Sequence, residues 1–141
     1  MNNHSHEVPA ELSAMLTQIV PAGGRFGHLQ HVQLAFLAAR EHGTVAATEK
    51  ISRWIRHLAA YENSPQKYNA TMTRAWTKLV GHHVEADQWA GRASDFADFA
   101  DRHPALLDKR LLSRHYSAAV LASAAARADW VDPDLAPFPW S

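Results

Sequence analysis

Phe26 to His42 reads FGHLQHVQLAFLAAREH, Gly43 follows, and Thr44 to Tyr61 reads TVAATEKISRWIRHLAAY. In the second half Ile51, Trp54, Ile55 and Leu58 recur at i, i+3, i+4 and i+7, the spacing that keeps apolar side chains on one stripe of an α-helix. Arg53, Arg56 and His57 fall off that stripe. In the first half, at about 100° per residue, Gln30, Gln33, Arg40 and Glu41 share one arc. Val32, Ala35, Phe36 and Ala39 share the opposite one. A glycine just past a periodic run is a helix stop, because it takes up a positive φ without a Cβ clash. A threonine after it can cap the next helix. The stretch therefore predicts a second helix over Phe26–His42 and a third over Thr44–Tyr61.

Upstream, Pro9 to Val20 predicts a short first helix with proline at an early position, where its missing N–H costs nothing. Pro21 to Gly24 breaks the chain, and residues 1–8 read as a disordered polar tail. Downstream, Asn63 to Pro65 is a turn. A fourth helix is expected from about Gln66 to Val84, with Tyr68, Met72, Ala75, Trp76, Leu79 and Val80 as its apolar face. Val84 to Arg92 reads as a polar connection holding Trp89. Short helices are expected over Asp95–Arg102 capped by Ser94, from Asp108 through Leu112, and over Ala118–Ala128 capped by Ser117. Pro104 ends the first of these. Val131 to Ser141 carries three prolines and reads as an extended tail over the helices. Nowhere do β-branched and polar residues alternate over six positions. The expectation is an all-α fold: one domain over 9–141, a compact bundle of three longer helices with short C-terminal helices and an extended Pro-rich tail.

The 141 residues carry fourteen Lys plus Arg against fourteen Asp plus Glu, without a basic block, which argues against nucleic acid as the partner. The absence of cysteine excludes thiol catalysis, disulfides, Fe–S clusters and Cys-based zinc sites. No apolar run approaches the roughly 18–20 residues of a membrane span, and a cytoplasmic location is expected.

Ten histidines are many for this length. On the second helix His28 falls in the middle of the buried arc. His31 falls on its flank, in line with Ala35 and Ala38. Residues at i and i+3 share a helix side, so both imidazoles can reach one point. Buried ring nitrogens must be hydrogen-bonded or ligated. Three readings stand side by side. His28 and His31 can hold a divalent transition metal (iron, zinc, copper or manganese), with a third ligand from His82 or His83 on the fourth helix. They can work without metal as acid–base or ligand-binding groups. They can also be structural, satisfied by backbone carbonyls. Asp101, Asp108 and His115 are further candidates without a geometric warrant. Tyr68, on the core face, and Thr71, on its margin, can partner the imidazoles or touch a small ligand. Thr73, on the polar side, reads as a surface residue. Trp54 and Trp76 read as core anchors, and His57 and His103 as exposed. His42 suits the negative end of its helix. Asp132-Pro133-Asp134 reads as a turn beside Trp130.

FGHLQH at 26–31, Lys67-Tyr68 with Thr71 and Thr73, Arg74-Ala75-Trp76, Leu106-Leu107-Asp108, His115-Tyr116-Ser117 and Trp130 to Leu135 together resemble a family of small bacterial proteins of unassigned activity. In that family an FxHxxH start precedes a KYHxTxT segment. The resemblance spans about residues 26 to 135 and implies a single helical domain with His28, His31, Tyr68 and Thr71 at its centre. The histidine the pattern carries after the tyrosine is Asn69 here, which implies a changed site or one completed by His82 or His83. The expected activity is that of a small-molecule enzyme centred on His28 and His31. The alternative is a non-catalytic binding or accessory protein, a homo-oligomer or the partner of a larger enzyme, with structural histidines. A pH sensor is the third possibility.

Overall fold

Gly43 stands alone between α2 (His28–His42) and α3 (Thr44–Tyr61). Its φ of 83° is open to glycine at no steric cost, and its N–H donates to the Ala39 carbonyl at 2.8 Å. The computed structural model describes residues 10–20, 27–61 and 68–140, and side chains for all of these except 57–61. The N-terminal tail, the break at 21–24, the turn at 63–65 and the side chains of His57 and Leu58 lie outside the described residues. Those described form an all-α bundle without strands.

A one-residue junction forces α2 and α3 to pack side by side, and α4 (Ala70–Trp89) packs against both. The core is Val32, Leu34, Ala35, Phe36, Ala38 and Ala39 from α2, Ala47, Ile51 and Trp54 from α3, and Ala75, Trp76, Leu79, Val80 and Val84 from α4. The expected apolar arc of α2 is thus buried, as are Ile51 and Trp54 of the α3 stripe, while Ile55 is half-buried. Each large apolar side chain so enclosed contributes about 1.5–3 kcal/mol. α1 (Ala10–Ile19) lies against α2 and buries Leu12, Met15 and Ile19, again one face. Glu11 on α1 ties it down by bonding His42 and, at 3.2 Å, Lys50.

The fourth helix starts later and ends later than its periodicity suggests. Asn69 is its N-cap, accepting from the Met72 N–H at 3.0 Å, so Tyr68 lies before the helix. No stop signal interrupts Glu85 to Gln88, and the helix runs to Trp89. It ends just before Gly91, whose φ is 72°. Trp89 is therefore helical and 93% exposed.

The C-terminal third is a run of short capped pieces. Asp95, in place of Ser94, caps α5 (Phe96–Arg102) by accepting from the Asp98 N–H. The Ser94 hydroxyl is instead engaged by Arg102 at 3.0 Å. Pro104–Leu107 and Lys109–Arg114 are 3-10 turns, the second capped by Asp108. The expected last helix is two: α6 (Ala118–Leu121), capped by Ser117, and α7 (Ala124–Ala128), which begins afresh because Ser123 accepts from the Ala126 N–H. The tail crosses these without regular structure. Phe138 is buried between His115 and Trp140, His115 Nδ1–H donates to the Ala136 carbonyl, and the Tyr116 hydroxyl donates to the Val131 carbonyl at 2.6 Å. Burial, and then Asp132 and Asp134, push the Tyr116 phenol up to about 12. Among the described residues no helix is long and apolar enough to cross a membrane.

Gly81 lets α4 approach the start of α3. A Cβ there would stand 2.5 Å from Thr44 Cγ2 and Oγ1 and 2.9 Å from its Cβ. Overpacking costs about 1–3 kcal/mol and the helix propensity of alanine returns about 1. Gly81→Ala is therefore expected to lower unfolding stability by about 1 kcal/mol in urea titrations, and Thr44→Ala in the same chain to recover part of the loss. A Gly81→Ala protein more stable than wild type, by about the 1 kcal/mol of alanine's helix propensity, would show that the helices do not meet here.

Candidate functional site

A cavity of about 270 Å³ opens at the end of the bundle opposite Gly43. The first turn of α2 lines it with Gly27, His28 and His31. Asn69, Met72, Thr73 and Trp76 come from the start of α4, Ile55 from α3, and Lys109 from the second 3-10 turn. The two histidines singled out as interruptions of an apolar arc thus share one wall.

α2 begins at Gly27, whose extended backbone precedes the helix. Its N–H donates to Gln30 Oε1 at 2.9 Å. This is half of a capping box, since glycine has no side chain to return the bond. His28 is the first helical residue. Its ring meets Trp76 edge-on, with centroids 4.3 Å apart, and its Nε2 lies 2.9 Å from the Leu106 carbonyl oxygen. A carbonyl only accepts, so Nε2 carries the proton and donates it, which leaves Nδ1 as the basic nitrogen of neutral His28. Burial holds the His28 pKa below the ordinary histidine range, with the Leu106 bond opposing and the Lys109 charge assisting. His31 is the deeper of the two: its Nε2 is sealed from solvent, and burial, reinforced by His28, pushes its pKa down to about 4. Both imidazoles are neutral at pH 7. The charged member of the wall is Lys109, which among the described residues pairs with no carboxylate.

Thr73 is not a surface residue. It is 5% exposed and its side chain faces the cavity. Thr17, Thr48, Ser52 and Thr77 each donate to the carbonyl four residues earlier. Thr73 does not, and among the described residues its hydroxyl has no hydrogen-bond partner. Nor is that oxygen sealed in the core; it opens on the cavity. The signal for Thr73 was in the sequence, because Thr73, Trp76 and Val80 keep the i, i+3, i+7 spacing of one helix face.

The structure does not bring the other expected residues to this wall. Thr71 is fully buried, but its Oγ1 donates to the Asp129 carbonyl at 2.8 Å and accepts from the Val131 N–H at 3.1 Å, tying the tail to α4. The Tyr68 ring lies under Arg56. His82 and His83 stand two turns further along α4, in a second group. His83 packs against His103 at 4.6 Å, and His82 lies 5.9 Å from Trp140. His103, expected to be exposed, is partly buried because Asp87 holds its Nε2 at 2.9 Å. Arg102 holds the same carboxylate oxygen at 2.9 Å. Burial of Asp87 would raise its pKa, but the bonds from Arg102 and His103 outweigh it and keep the carboxyl below its ordinary range. Asp108 and Arg110 form an exposed pair, Asp101 is exposed on α5, and Asp134 accepts from the Ser117 N–H. Among the described residues no group of three or more His, Asp or Glu could hold a metal ion. Comparison of the chain with family models, with curated proteins and with solved structures finds no match.

Two predictions follow from this geometry. An unfolded histidine titrates near 6.5, whereas folded His31 resists protonation down to about 4. Between these values the unfolded chain binds the extra proton, so stability is full above about pH 6.5 and falls as pH drops toward 4, by up to roughly 3 kcal/mol at this one group. His28 and His83 act in the same direction. Urea unfolding at several pH values should show this slope, and His31→Gln should flatten it; an equal slope in the variant would mean that His31 is not the proton-refusing group. Thr71→Val leaves two backbone partners unsatisfied and is expected to cost about 1–3 kcal/mol. The NMR signals of His28 and His31 should stay in place, and their displacement would put Thr71 in the site after all.

Proposed function

We propose that this protein is a cytoplasmic small-molecule enzyme in which His28 transfers a proton to or from a bound substrate through Nδ1. The observation that carries this reading is the open cavity whose wall contains both His28 and His31, with the other nitrogen of His28 pinned by the Leu106 carbonyl. A base must be held in one tautomer and one orientation, and a backbone acceptor on the far nitrogen does both. A pKa below the ordinary range keeps the basic form populated at neutral pH and makes the protonated ring a better acid for the return step. His31, held neutral deeper in the wall, presents a dipole and not a charge to the substrate. Trp76, Met72 and Ile55 supply apolar surface that excludes water from the reacting groups. An accessory protein with structural histidines needs no such space.

The test is turnover. A mixture of small carboxylic acids, carbonyl compounds and esters, incubated with the protein in D2O and followed by NMR, should show one class losing signal through exchange or conversion. His28→Gln, which keeps the hydrogen bond to Leu106 but has no basic nitrogen, should slow it by about 10²–10⁴. Identical spectra from wild type and variant across the mixture would overturn the proposal. Elemental analysis of untagged protein decides the chemistry: one equivalent of iron, zinc, copper or manganese, lost in His28→Ala and His31→Ala, would replace proton transfer with metal-activated water.

A further inference from the structure

The cavity wall is lopsided in charge. Lys109 stands at it, and among the described residues no aspartate or glutamate lines it. The nearest carboxylate in sequence, Asp108, is occupied by Arg110, which donates to it through the backbone N–H, Nε and Nη2 at 3.0–3.1 Å. Because α2 and α4 run in the same direction along α3, both present their N-terminal, positive ends to the cavity, with Gly27 and Asn69 as the cap residues in its wall. These are helices of 15 and 20 residues. Asn69 uses its side chain to cap its own helix, whereas the N-cap of α2 is Gly27, which has no side chain to do so. A hydroxyl opens into the same space. Thr73 is 5% exposed, and its Oγ1 has no hydrogen-bond partner among the described residues, whereas the hydroxyls of Thr48, Ser52 and Thr77 on α3 and α4 are spent on backbone carbonyls. A buried donor left open in this way is satisfied by water or by a ligand.

From this arrangement we infer that the cavity selects a small organic carboxylate, its charged end met by the Thr73 hydroxyl, the Lys109 ammonium and the N-terminus of α2, its apolar body against Trp76 and Ile55. The inference rests on the reading of this cavity as a substrate site and names the substrate class. Size agrees. The roughly 30 Å³ that liquid water allots per molecule makes the 270 Å³ cavity room for about nine waters, or a ligand of about ten non-hydrogen atoms. Among the described residues the lining holds one cation, Lys109, and apolar walls, which suit a monoanion with a hydrocarbon body better than a bare dianion such as inorganic phosphate.

Phenylacetate and its uncharged isostere phenylacetamide separate charge from shape. They are titrated into the full-length protein in parallel with butyrate, butyramide and inorganic phosphate, with the imidazole NMR signals of His28 and His31 reporting location. Phenylacetate should shift both histidines and bind at least about tenfold more tightly than the amide, the difference that one good charge-assisted contact provides. Phosphate should bind more weakly. Lys109→Gln, an exposed change that leaves the fold alone, should weaken phenylacetate about three- to tenfold and leave phenylacetamide unchanged, and Thr73→Val should weaken phenylacetate by a similar factor. If the amides bind as well as the acids, the anion inference falls while the cavity remains a ligand site and the enzyme reading stands. If no probe moves the histidine signals at millimolar concentration, the cavity takes no such ligand and both readings fall together.

Discussion

The junction at Gly43 governs the arrangement of everything else. With one residue between them, α2 and α3 have no freedom to diverge, and the start of α3 abuts α4 at Gly81, where a side chain as small as a methyl would collide with Thr44. α4 is thereby fixed in register against both partners. At the other end of the pair the starts of α2 and α4 line one cavity together with Ile55 of α3. The cavity is a consequence of that packing, and the histidines occupy it because they stand on the first turn of α2.

Most buried polar groups in this bundle are ties. Thr71 fastens the tail, Asp87 gathers Arg102 and His103 and so holds α5 to the last turns of α4, and Tyr116 clips Val131. In each of these ties donor meets acceptor, as a low-dielectric interior demands. At the cavity several polar groups stand together unmatched. Among the described residues Thr73 offers an unspent hydroxyl, His28 has one nitrogen engaged and one basic, and Lys109 has no carboxylate. Polar groups collected without mutual satisfaction are what a ligand-binding wall requires and what a purely structural one avoids.

The helices α2 and α3 were legible because their apolar residues keep one period over four turns, and His28 and His31 were legible because they break it. Thr73 was legible in the same way, through its spacing to Trp76 and Val80, but its angle was set on the polar side of the stripe and it was read as surface. Ile55 was assigned to the core stripe, and nothing in its own segment says that it also borders open space. Lys109 and the Leu106 carbonyl reach the site from a different part of the chain, about eighty residues after His28, and local pattern carries no information about such meetings. The separation of His82 and His83 from His28 was likewise a matter of rise along α4, which two turns of helix settle but sequence order conceals. Boundaries failed where caps competed: Asp95 displaced Ser94, Ser123 started a helix inside an expected one, and α4 ran on because no residue between Val84 and Trp89 stops a helix.

The first turn of α4 is held from a great distance along the chain. Asn69 donates to the Leu121 carbonyl, and Thr71 bonds both Asp129 and Val131, contacts spanning 52, 58 and 60 residues. α2 and α3 can form and pair from local contacts as they are synthesised, but the segment that carries Asn69, Met72 and Thr73 lacks its anchors until the chain beyond residue 131 has been made. Non-local closures of this kind are the slow ones in folding. The histidine wall of the cavity and its threonine wall are thus completed at different moments of biosynthesis, and a nascent chain passes through a stage in which the bundle exists while the site does not.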